Sequence, residues 1–454
     1  MQLRPYQIRI ANWLCDHPHA CLSVGMGLGK TAATLHFVNH TLSIYPAATF
    51  LIVAPKRVAE TVWRQEGEKW ELWRVVRNMV LVAGSPKQKE AAAASTAPIK
   101  IVSRDNLKYF EDQTFDVLIL DELTSFKNMK SERTRLCRSI HATRKIGLTG
   151  TFAPNGVMDV YAQLAVLDIA PNDEREFYAW RGRWFIDVNA RTQLNFPRWV
   201  PRGGVTEAQI LGDWTRDIIT LTTEEYLQLP PIQYETIEVE LSRSERKAYD
   251  DMVATLHFEL PNNLDDFTVD EKARFAKIQT LCSGFVYDDK KEYSESGVVR
   301  IEGGGSKVQA AVEFCRHAAA EGESVLLFYQ YRETAVMFGE ESKKAGLRIA
   351  SVKGNSNDWL TRWNAGNLDV LVANPASAGH GLNLQQGGHI VLWLELTYNY
   401  EYYAQANARL HRTGQLKPVQ VWTLEAKDTV DGNVRRLLNM KDKTNKRIES
   451  ITKR

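Results

Sequence analysis

The sequence contains 454 residues, of which 44% are hydrophobic and 25% are charged, and its formal net charge is only +2. This length predicts two or three domains, and the composition excludes a fibrous or largely disordered chain. The small net charge excludes recognition of an acidic partner through overall charge, so only a local basic surface could bind one. The five cysteines form no C-x-x-C pair, and no signal peptide or bilayer-spanning apolar run is evident, so we expect a cytoplasmic protein with reduced cysteines.

A glutamine precedes the first chemical motif of the chain. Gln7 stands at the start of a helix predicted over residues 8–14, where apolar side chains recur at helical spacing. Its amide both donates and accepts hydrogen bonds, so it could read the edge of an adenine ring. A surface glutamine at the beginning of a helix is the alternative, and the residues alone favour it.

A glycine-rich segment, SVGMGLGKT at residues 23–31, lies between an apolar run at 20–22 and a helix-like run at 32–38. Glycines let the backbone close around an anion, and the N-terminus of the next helix adds partial positive charge. The segment predicts a phosphate-binding loop in which Lys30 reaches the β- and γ-phosphates and Thr31 ligates Mg²⁺. The nucleotide-binding residues that it predicts are Gly25, Met26, Gly27, Leu28, Gly29, Lys30 and Thr31.

One position departs from the strict phosphate-loop motif. Val24 stands where that motif has a glycine, five residues before Gly29. A tight turn between a strand and a helix, with a chance Gly-Lys-Thr, is therefore the alternative interpretation.

Five apolar runs, separated by helix-like stretches, predict the strands of a first sheet. They cover residues 20–22, 49–54, 100–103, 116–120 and 145–151. This alternation indicates a parallel sheet with helices on both faces, and such sheets bind ligands beyond the carboxyl ends of their strands. The residues of chemical interest that follow these ends are Lys30, Pro55, Asp121, Glu122 and Thr149.

An acidic pair ends the fourth of these runs. Asp121 can hold Mg²⁺, directly or through water, and Glu122 can orient or deprotonate a water for attack on a γ-phosphate. An aspartate that caps the next helix is the alternative. The position of the pair, about ninety residues after the Gly-Lys-Thr and at the end of another apolar strand, favours the chemical interpretation.

Arginines and aromatic residues interleave between residues 154 and 230. This pattern suits contact with a nucleic-acid backbone, but a helical insertion stabilised by aromatic packing and cation–π contacts is the favoured alternative. The Leu-Pro-Pro at 229–231 predicts a stiff linker between two halves.

The linker divides the predicted domains. We expect an N-terminal lobe at 1–228, with an insertion at about 165–228, and a C-terminal lobe at 229–454, with a helical insertion at about 241–300.

The second half contains its own predicted sheet, with strands at 325–329, 370–373, 389–393 and 418–422. Beyond the third of these strands, Arg409 and Arg412 are three residues apart, so on a predicted helix they share a face. Two guanidinium groups could clamp a γ-phosphate in its transition state. A pair of surface arginines near a helix end is the alternative.

In their order and content, these motifs resemble those of the Swi/Snf-type ATPases of helicase superfamily two, in a compact viral or bacterial form. LRPYQ at 3–7 is similar to the family's opening motif, whose glutamine contacts adenine. GMGLGKT at 25–31 is similar to its phosphate loop. DELTSFKN at 121–128 resembles its D-E-x-H box, with Thr124 in place of the usual histidine, which leaves the metal and water roles of the two acids in place.

Further motifs extend the resemblance over nearly the whole chain. They are LIVAPKR at 51–57, LTGTFAPN at 148–155, SAGHGLNL at 377–384 and QANARLHRTGQ at 405–415. The resemblance implies that Gln405, Arg409 and Arg412 complete a catalytic set whose other members are Lys30, Asp121 and Glu122. It adds Gly381 to the nucleotide-binding residues. The DNA-binding residues that it implies are Lys56, Arg57, Thr149, Gly150, Ser377 and Asn383.

The resemblance also implies an architecture and a function. The fold class is α/β, with two RecA-like lobes that carry helical insertions, and the cofactors are ATP and Mg²⁺. The implied activity is that of an ATP-dependent translocase on double-stranded DNA, acting as a monomer and without a membrane. An ATP-dependent helicase for RNA or single strands, and a DNA-binding scaffold with an inactive ATP site, are the alternatives.

Overall fold

The computed structural model describes residues 2–190, 198–256, 269–288, 296–352, 358–378 and 382–453. These residues form two compact units. The described residues up to 228, together with those from 441 onward, make the first unit, and residues 229–440 supply the second. Within the described chain, we find no helix that combines the length and the apolar character needed to cross a membrane.

A seven-stranded parallel sheet, in the order β3-β4-β2-β5-β6-β1-β9, forms the framework of the first unit, and a two-stranded antiparallel ribbon, β7 and β8, lies outside it. The strands are β1 His19–Val24, β2 Phe50–Ala54, β3 Met79–Val82, β4 Ile99–Ser103, β5 Thr114–Asp121, β6 His141–Thr149, β7 Phe185–Asp187, β8 Trp199–Pro201 and β9 Ile218–Leu221.

The five strands predicted for this sheet are present, whereas the prediction misses its two edge strands, β3 and β9. Each edge strand is only four residues long. So short an apolar run cannot be told from part of a buried helix by its pattern alone.

Ten α-helices surround this sheet, and four shorter 3₁₀- or π-helical turns cover residues 58–62, 104–110, 123–126 and 212–217. The helices are α1 Pro5–Asp16, α2 Lys30–Ile44, α3 Trp63–Lys69, α4 Trp73–Arg77, α5 Pro86–Ala93, α6 Glu132–Ser139, α7 Met158–Ala165, α8 Glu174–Trp184, α9 Glu207–Leu211 and α10 Thr223–Tyr226.

The segment rich in arginine and aromatic residues packs on itself. The rings of Tyr161, Trp180 and Trp214 lie within 4.9–5.9 Å of one another, measured between centroids. The guanidinium carbon of Arg181 lies 4.0 Å from the ring centroid of Trp199. These contacts are the cation–π and ring contacts that stabilise a folded insertion, so they support the packing interpretation of this segment.

The second unit is built on a six-stranded parallel sheet in the order β10-β17-β16-β13-β15-β14, with β11 and β12 as an antiparallel pair. Its strands are β10 Ile232–Val239, β11 Phe285–Tyr287, β12 Val298–Arg300, β13 Val325–Phe328, β14 Ile349–Ser351, β15 Val370–Ala373, β16 Ile390–Trp393 and β17 Val419–Ala426. Its helices are α11 Arg243–Leu256, α12 Val269–Leu281, α13 Ser306–Ala320, α14 Arg332–Lys344, α15 Asp358–Asn364, α16 Pro375–Ala378, α17 Tyr400–Asn407 and α18 Asp431–Thr452.

The four strands predicted here are present, and the two edge strands, β10 and β14, are again missed. The sequence of β10 contains no continuous apolar run, because polar residues occupy most of the positions that the strand exposes. The two parallel sheets with their helices confirm the predicted α/β class with two RecA-like lobes.

The last helix corrects the predicted domain boundary. That prediction assigns all residues from 229 to 454 to the second lobe, whereas the described residues from 441 onward cluster with the first unit. Ile448 is fully buried in the core of the first unit. Asn445 accepts a hydrogen bond from the backbone N–H of Ala153 at 3.1 Å, and the hydroxyls of Thr452 and Thr220 lie 2.7 Å apart. These contacts join residues far apart in sequence, which a local pattern does not reveal.

Candidate functional site

The predicted phosphate loop joins β1 to α2, and Lys30 is the first residue of that helix. Gly27 and Gly29 adopt left-handed backbone angles, with φ of +81° and +77°. A Cβ atom on Gly29 would lie 2.3 Å from Nε2 of Gln7, and one on Gly25 would lie 2.4 Å from Oγ1 of Thr223. Glycine is therefore required at these positions by backbone angle, by close contact or by both.

Val24 does not disturb this loop. It is the last residue of β1, where it pairs with Leu221 of β9, and its side chain is fully buried. Its backbone carbonyl accepts a hydrogen bond from Nζ of Lys30 at 2.8 Å. The departure from the strict motif thus falls on a strand residue whose backbone needs no left-handed angle.

Gln7 is buried beside the loop, so the surface-glutamine alternative is wrong. Its Nε2 donates to the carbonyl of Leu28 at 3.1 Å, and its Oε1 accepts from the backbone N–H of Arg4 at 2.9 Å. Only 6% of the residue is exposed. The side chain therefore links α1 to the loop, and its role toward adenine stays a prediction.

Asp121 is the last residue of β5, and its carboxylate is held by two donors. Its Oδ2 accepts from Nε1 of Trp63 at 3.0 Å, and its Oδ1 accepts from the backbone N–H of Glu122 at 3.0 Å. The helix-capping alternative is therefore not what the structure contains, because the carboxylate bonds to the adjacent residue and to a distant indole. Glu122 has a left-handed backbone, with φ of +54°, which is uncommon outside glycine.

Burial, and then the negative charge of Glu122, raise the pKa of Asp121 to about 7, while Lys30 and the Trp63 hydrogen bond act in the opposite direction. A buried carboxylate whose pKa is raised in this way is a group that a nearby cation would stabilise. The sequence prediction missed Trp63. Its only signal was an indole in the helical segment after β2.

The residues at this position fit a magnesium ion. Thr31 offers a hydroxyl oxygen and Asp121 a carboxylate oxygen, which are the donor types that Mg²⁺ prefers. Among the described residues, no group of three or more His, Cys, Asp or Glu side chains could hold a metal. A magnesium ion held here would therefore keep water and substrate oxygens as its other ligands, as it usually does.

The end of β6 lies between the ends of β5 and β1, because β6 pairs with both strands. A Cβ atom on Gly150 would lie 3.1 Å from Cγ of Met26 and 3.5 Å from Nζ of Lys30. The first unit thus brings the loop, Lys30 and Gly150 together at one edge of its sheet, with Asp121 close enough to Lys30 for their charges to interact.

The predicted DNA contact at Thr149 needs correction. Thr149 is fully buried, and its hydroxyl donates to the carbonyl of Thr151 at 2.8 Å and accepts from the N–H of Thr151 at 3.1 Å. Both hydrogen-bonding roles of the hydroxyl therefore shape the turn after β6. Lys56 is exposed and Arg57 is half-buried after β2, as contact with a ligand would require.

The second unit brings two predicted arginines onto one carbonyl. NH1 of Arg409 and NH1 of Arg412 donate to the backbone oxygen of Leu382 at 3.2 and 3.0 Å. Arg409 also donates from Nε to the carbonyl of Gln405 at 3.1 Å. The predicted helix through both arginines is wrong, because α17 ends at Asn407 and both lie in the turns beyond it.

Buried amides fix these turns. Nε2 of Gln415 lies 3.0–3.3 Å from the carbonyl oxygens of Gln385, Gly388 and Leu410, and Nε1 of Trp393 donates to Oδ1 of Asn407 at 3.0 Å. The sequence prediction missed Gln415 as a positioning residue, although it ends the QANARLHRTGQ motif.

The remaining predicted residues of the second unit are placed as follows. Gln405 is buried, and its Nε2 donates to Oε1 of Glu401 at 3.4 Å. Ser377 in α16 and Asn383, the neighbour of Leu382, are exposed. Gly381 lies outside the described residues.

Comparisons with known proteins identify the family of the chain. A family model described as SNF2-related domain matches residues 6–284, and one described as helicase conserved C-terminal domain matches residues 306–414. A putative protein p41 of Acyrthosiphon pisum secondary endosymbiont phage 1 is 32% identical in an alignment of 463 positions, which covers 96% of this chain and 96% of that protein.

Longer relatives and a solved structure are also similar. An uncharacterized ATP-dependent helicase of Mycoplasma pneumoniae is 24% identical over 452 residues, and the match spans 95% of this chain but only 41% of that protein. The solved structure of a Sulfolobus solfataricus SWI2/SNF2 ATPase core in complex with dsDNA has a TM-score of 0.43 and 18% identity, covering 100% of this chain and 95% of that chain.

Proposed function

The chain belongs to the SNF2-related family of ATP-dependent helicases, and from this premise we propose that it couples ATP hydrolysis to movement along double-stranded DNA. The observation that carries the proposal lies at one edge of the first sheet, where Lys30 at the start of α2, Gly150 after β6 and Asp121 at the end of β5 come together. An open parallel sheet binds its ligand at this edge.

The first unit binds the nucleotide. Backbone N–H groups of the loop and the N-terminus of α2 face the phosphates, and Lys30 exchanges the carbonyl of Val24 for a phosphate oxygen. Thr31 and Asp121 would hold Mg²⁺, which would neutralise negative charge on the phosphates. Glu122 orients the attacking water or accepts its proton.

The second unit contributes Gln405, Arg409 and Arg412 to hydrolysis. Both guanidiniums are fixed on the carbonyl of Leu382, so their positions depend on one another. Positioned guanidiniums stabilise the charge that spreads over the transferred phosphoryl group. Because they share one anchor, we propose that the two arginines act as one unit.

The predicted DNA-binding residues that are exposed or half-buried contact the nucleic acid. Lys56 and Arg57 in the first unit, and Ser377 and Asn383 in the second, are accessible to a phosphate backbone. Such contacts carry no sequence information, which suits a motor that moves along its track. Relatives that include a chromatin remodeling factor, mit1 of Schizosaccharomyces pombe, support duplex DNA as the track.

The test is the rate of phosphate release with ATP and Mg²⁺ in the presence of long duplex DNA, single-stranded DNA or RNA. We expect strong stimulation by the duplex and release of a third strand from a triplex. The matched control is Lys30→Ala, which should fold normally and release no phosphate. Stimulation by RNA or single strands alone would contradict the duplex assignment, and full activity of Lys30→Ala would contradict the assigned site.

A further inference from the structure

A cavity of about 580 Å³ opens at the amino ends of the strands in the first unit. It lies at the C-terminal end of α2, whereas Lys30 begins that 15-residue helix. At 1.5 Å per residue the two ends of the helix are about 21 Å apart, so the cavity is remote from the nucleotide site. Its lining residues include Cys15, Phe37, Ile44, Tyr45, Asp116 and Arg144.

The rim of this cavity is apolar and exposed. Ile44 and Tyr45 are 53% and 66% exposed, and the almost fully buried residues Phe37 and Val117 also line the cavity. Exposed apolar side chains around a concave surface are typical of a protein interface, and an enclosed metabolite site would bury them.

Arg144 gives the cavity a polar wall with an unused donor. Its NH2 donates to the carbonyls of Leu14 and Cys15 at 2.6 and 2.8 Å, and its guanidinium carbon lies 5.7 Å from the ring centroid of Phe37. In the part of the chain that the structure describes, its Nε is buried and has no hydrogen-bond partner. Nε is therefore closed to a ligand, and NH1, which makes neither of these hydrogen bonds, is the guanidinium atom that an acceptor from a ligand would meet.

The acidic residue in the cavity is already engaged. Oδ2 of Asp116 accepts from the backbone N–H of Thr49 at 2.7 Å and from its hydroxyl at 2.8 Å. These contacts occupy Oδ2 of Asp116, whereas Arg144 donates to neutral carbonyl groups and keeps its positive charge available to an anionic ligand. Charge complementarity then favours a ligand with a carboxylate over one with an ammonium group.

We propose that this cavity is a docking site for a protein partner, which inserts a bulky apolar side chain beside Phe37 and presents an adjacent carboxylate to Arg144. The apolar group buries the exposed rim, and the carboxylate pairs with the positive charge of the half-buried Arg144 guanidinium. The proposal is independent of the motor activity, because it uses the opposite edge of the sheet.

Cys15 offers a direct test, because it lines the cavity and is exposed, while the other four cysteines are buried. Four disulfide probes carry the dipeptides Phe-Glu, Phe-Gln, Phe-Lys and Ala-Glu on a cysteamine linker. The full chain is equilibrated with each probe, and intact mass gives the concentration of 2-mercaptoethanol that halves labelling. Cys15→Ser should abolish labelling.

We expect the 2-mercaptoethanol concentration that halves labelling to be about tenfold higher for the Phe-Glu probe than for the Phe-Lys and Ala-Glu probes. The value for the Phe-Gln probe should lie between them. In the Arg144→Gln variant, the concentration that halves labelling by the Phe-Glu probe should fall to the value for the Phe-Gln probe. The control Arg135→Gln, at an exposed arginine paired with Glu111 outside the cavity, should change nothing.

Two results on the unmodified chain would overturn the proposal whether or not the Arg144 variant folds. Equal release of all four probes would show that the cavity recognises neither the ring nor the acid. Preference for Phe-Lys would assign the recognition to Asp116. Ile44→Glu, at a half-exposed rim position, is the second variant, and it should weaken Phe-Glu more than Phe-Lys.

Discussion

Trp63 donates its indole N–H to Oδ2 of Asp121 at 3.0 Å, so a helix that follows β2 positions the carboxylate that ends β5. Both groups are buried. Because the indole stabilises the charged form of Asp121, it opposes the rise in pKa that burial causes. The protonation state of the Asp121 carboxyl group near neutral pH therefore depends on Trp63, which contacts neither nucleotide nor nucleic acid in the proposed mechanism.

Replacement of Trp63 by phenylalanine should impair hydrolysis mainly on the acid side. The variant loses the hydrogen bond to Asp121, so the pKa of that carboxyl rises and the acid limb of the rate profile moves to higher pH. We expect an ATPase rate about tenfold lower at pH 7, recovering at pH 8.5. The control is Trp70→Phe, which removes an indole hydrogen bond to Glu66 elsewhere. An unshifted pH profile would contradict the positioning role.

Asp121 should make the stability of the nucleotide-free and metal-free protein fall as pH rises. Its pKa is about 7 in the folded state and near 3.8 in the unfolded chain. The folded state therefore binds the proton more tightly, so this contribution is complete below pH 4 and is lost as pH rises toward 7. Compared with Asp121→Asn, the wild-type free energy of unfolding should fall by a few kcal/mol over this window.

Urea unfolding at several pH values measures this difference. The control is Asp105→Asn, at an exposed carboxylate, whose difference from the wild type should show no comparable loss between pH 4 and pH 7. A constant difference for Asp121→Asn would show that its carboxyl is not destabilised in the folded state.

Gly29→Ala should destabilise the first unit and abolish nucleotide binding. Alanine pays for the left-handed backbone, about 1–2 kcal/mol, and its Cβ collides with Nε2 of Gln7. The double variant Gly29→Ala with Gln7→Ala removes the collision and should recover part of the loss. Gly322→Ala is the control, since it has a similar φ of +76° with no atom within 4 Å. Thermal unfolding and nucleotide titration measure the three variants, and equal losses for Gly29→Ala and Gly322→Ala would rule out the collision.

The shared anchor of Arg409 and Arg412 predicts strong non-additivity. Arg412→Lys should lower kcat about 100-fold or more with a small change in ATP affinity, because lysine cannot bond to Leu382 and a phosphate in the same fork geometry. The double lysine variant should be little worse than the worse single variant. Steady-state ATPase kinetics measure this, with the exposed Arg436→Lys as the control. Multiplicative losses would mean that the arginines act separately.

Sequence and structure agree where the signal is local. Lys30, Asp121 and Glu122 follow apolar strands whose order along the chain predicts a parallel sheet, and the structure places them at its carboxyl edge. The sequence cannot show that β6 lies between β5 and β1, because that order depends on pairing between distant segments. For the same reason it misses Trp63 beside Asp121.

Backbone geometry decides the role of several single residues. Val24 replaces the glycine of the strict motif, but its backbone belongs to β1 and has the extended conformation that valine readily adopts. Thr149 has the position of a ligand contact but uses its hydroxyl in its own turn. Arg409 and Arg412 have helical spacing, yet they lie beyond the helix, and the carbonyl of Leu382 brings them together instead.

The division of α18 between the two units has a consequence for biosynthesis. One uninterrupted helix of 22 residues starts with the second unit, and its later residues complete the core of the first. A ribosome makes the second unit before it makes Ile448, so the first unit cannot bury its full core until Ile448 has been translated. Its nascent form would offer an apolar surface to chaperones while the second unit is synthesised, and a frameshift near residue 440 would leave the first unit without part of its core.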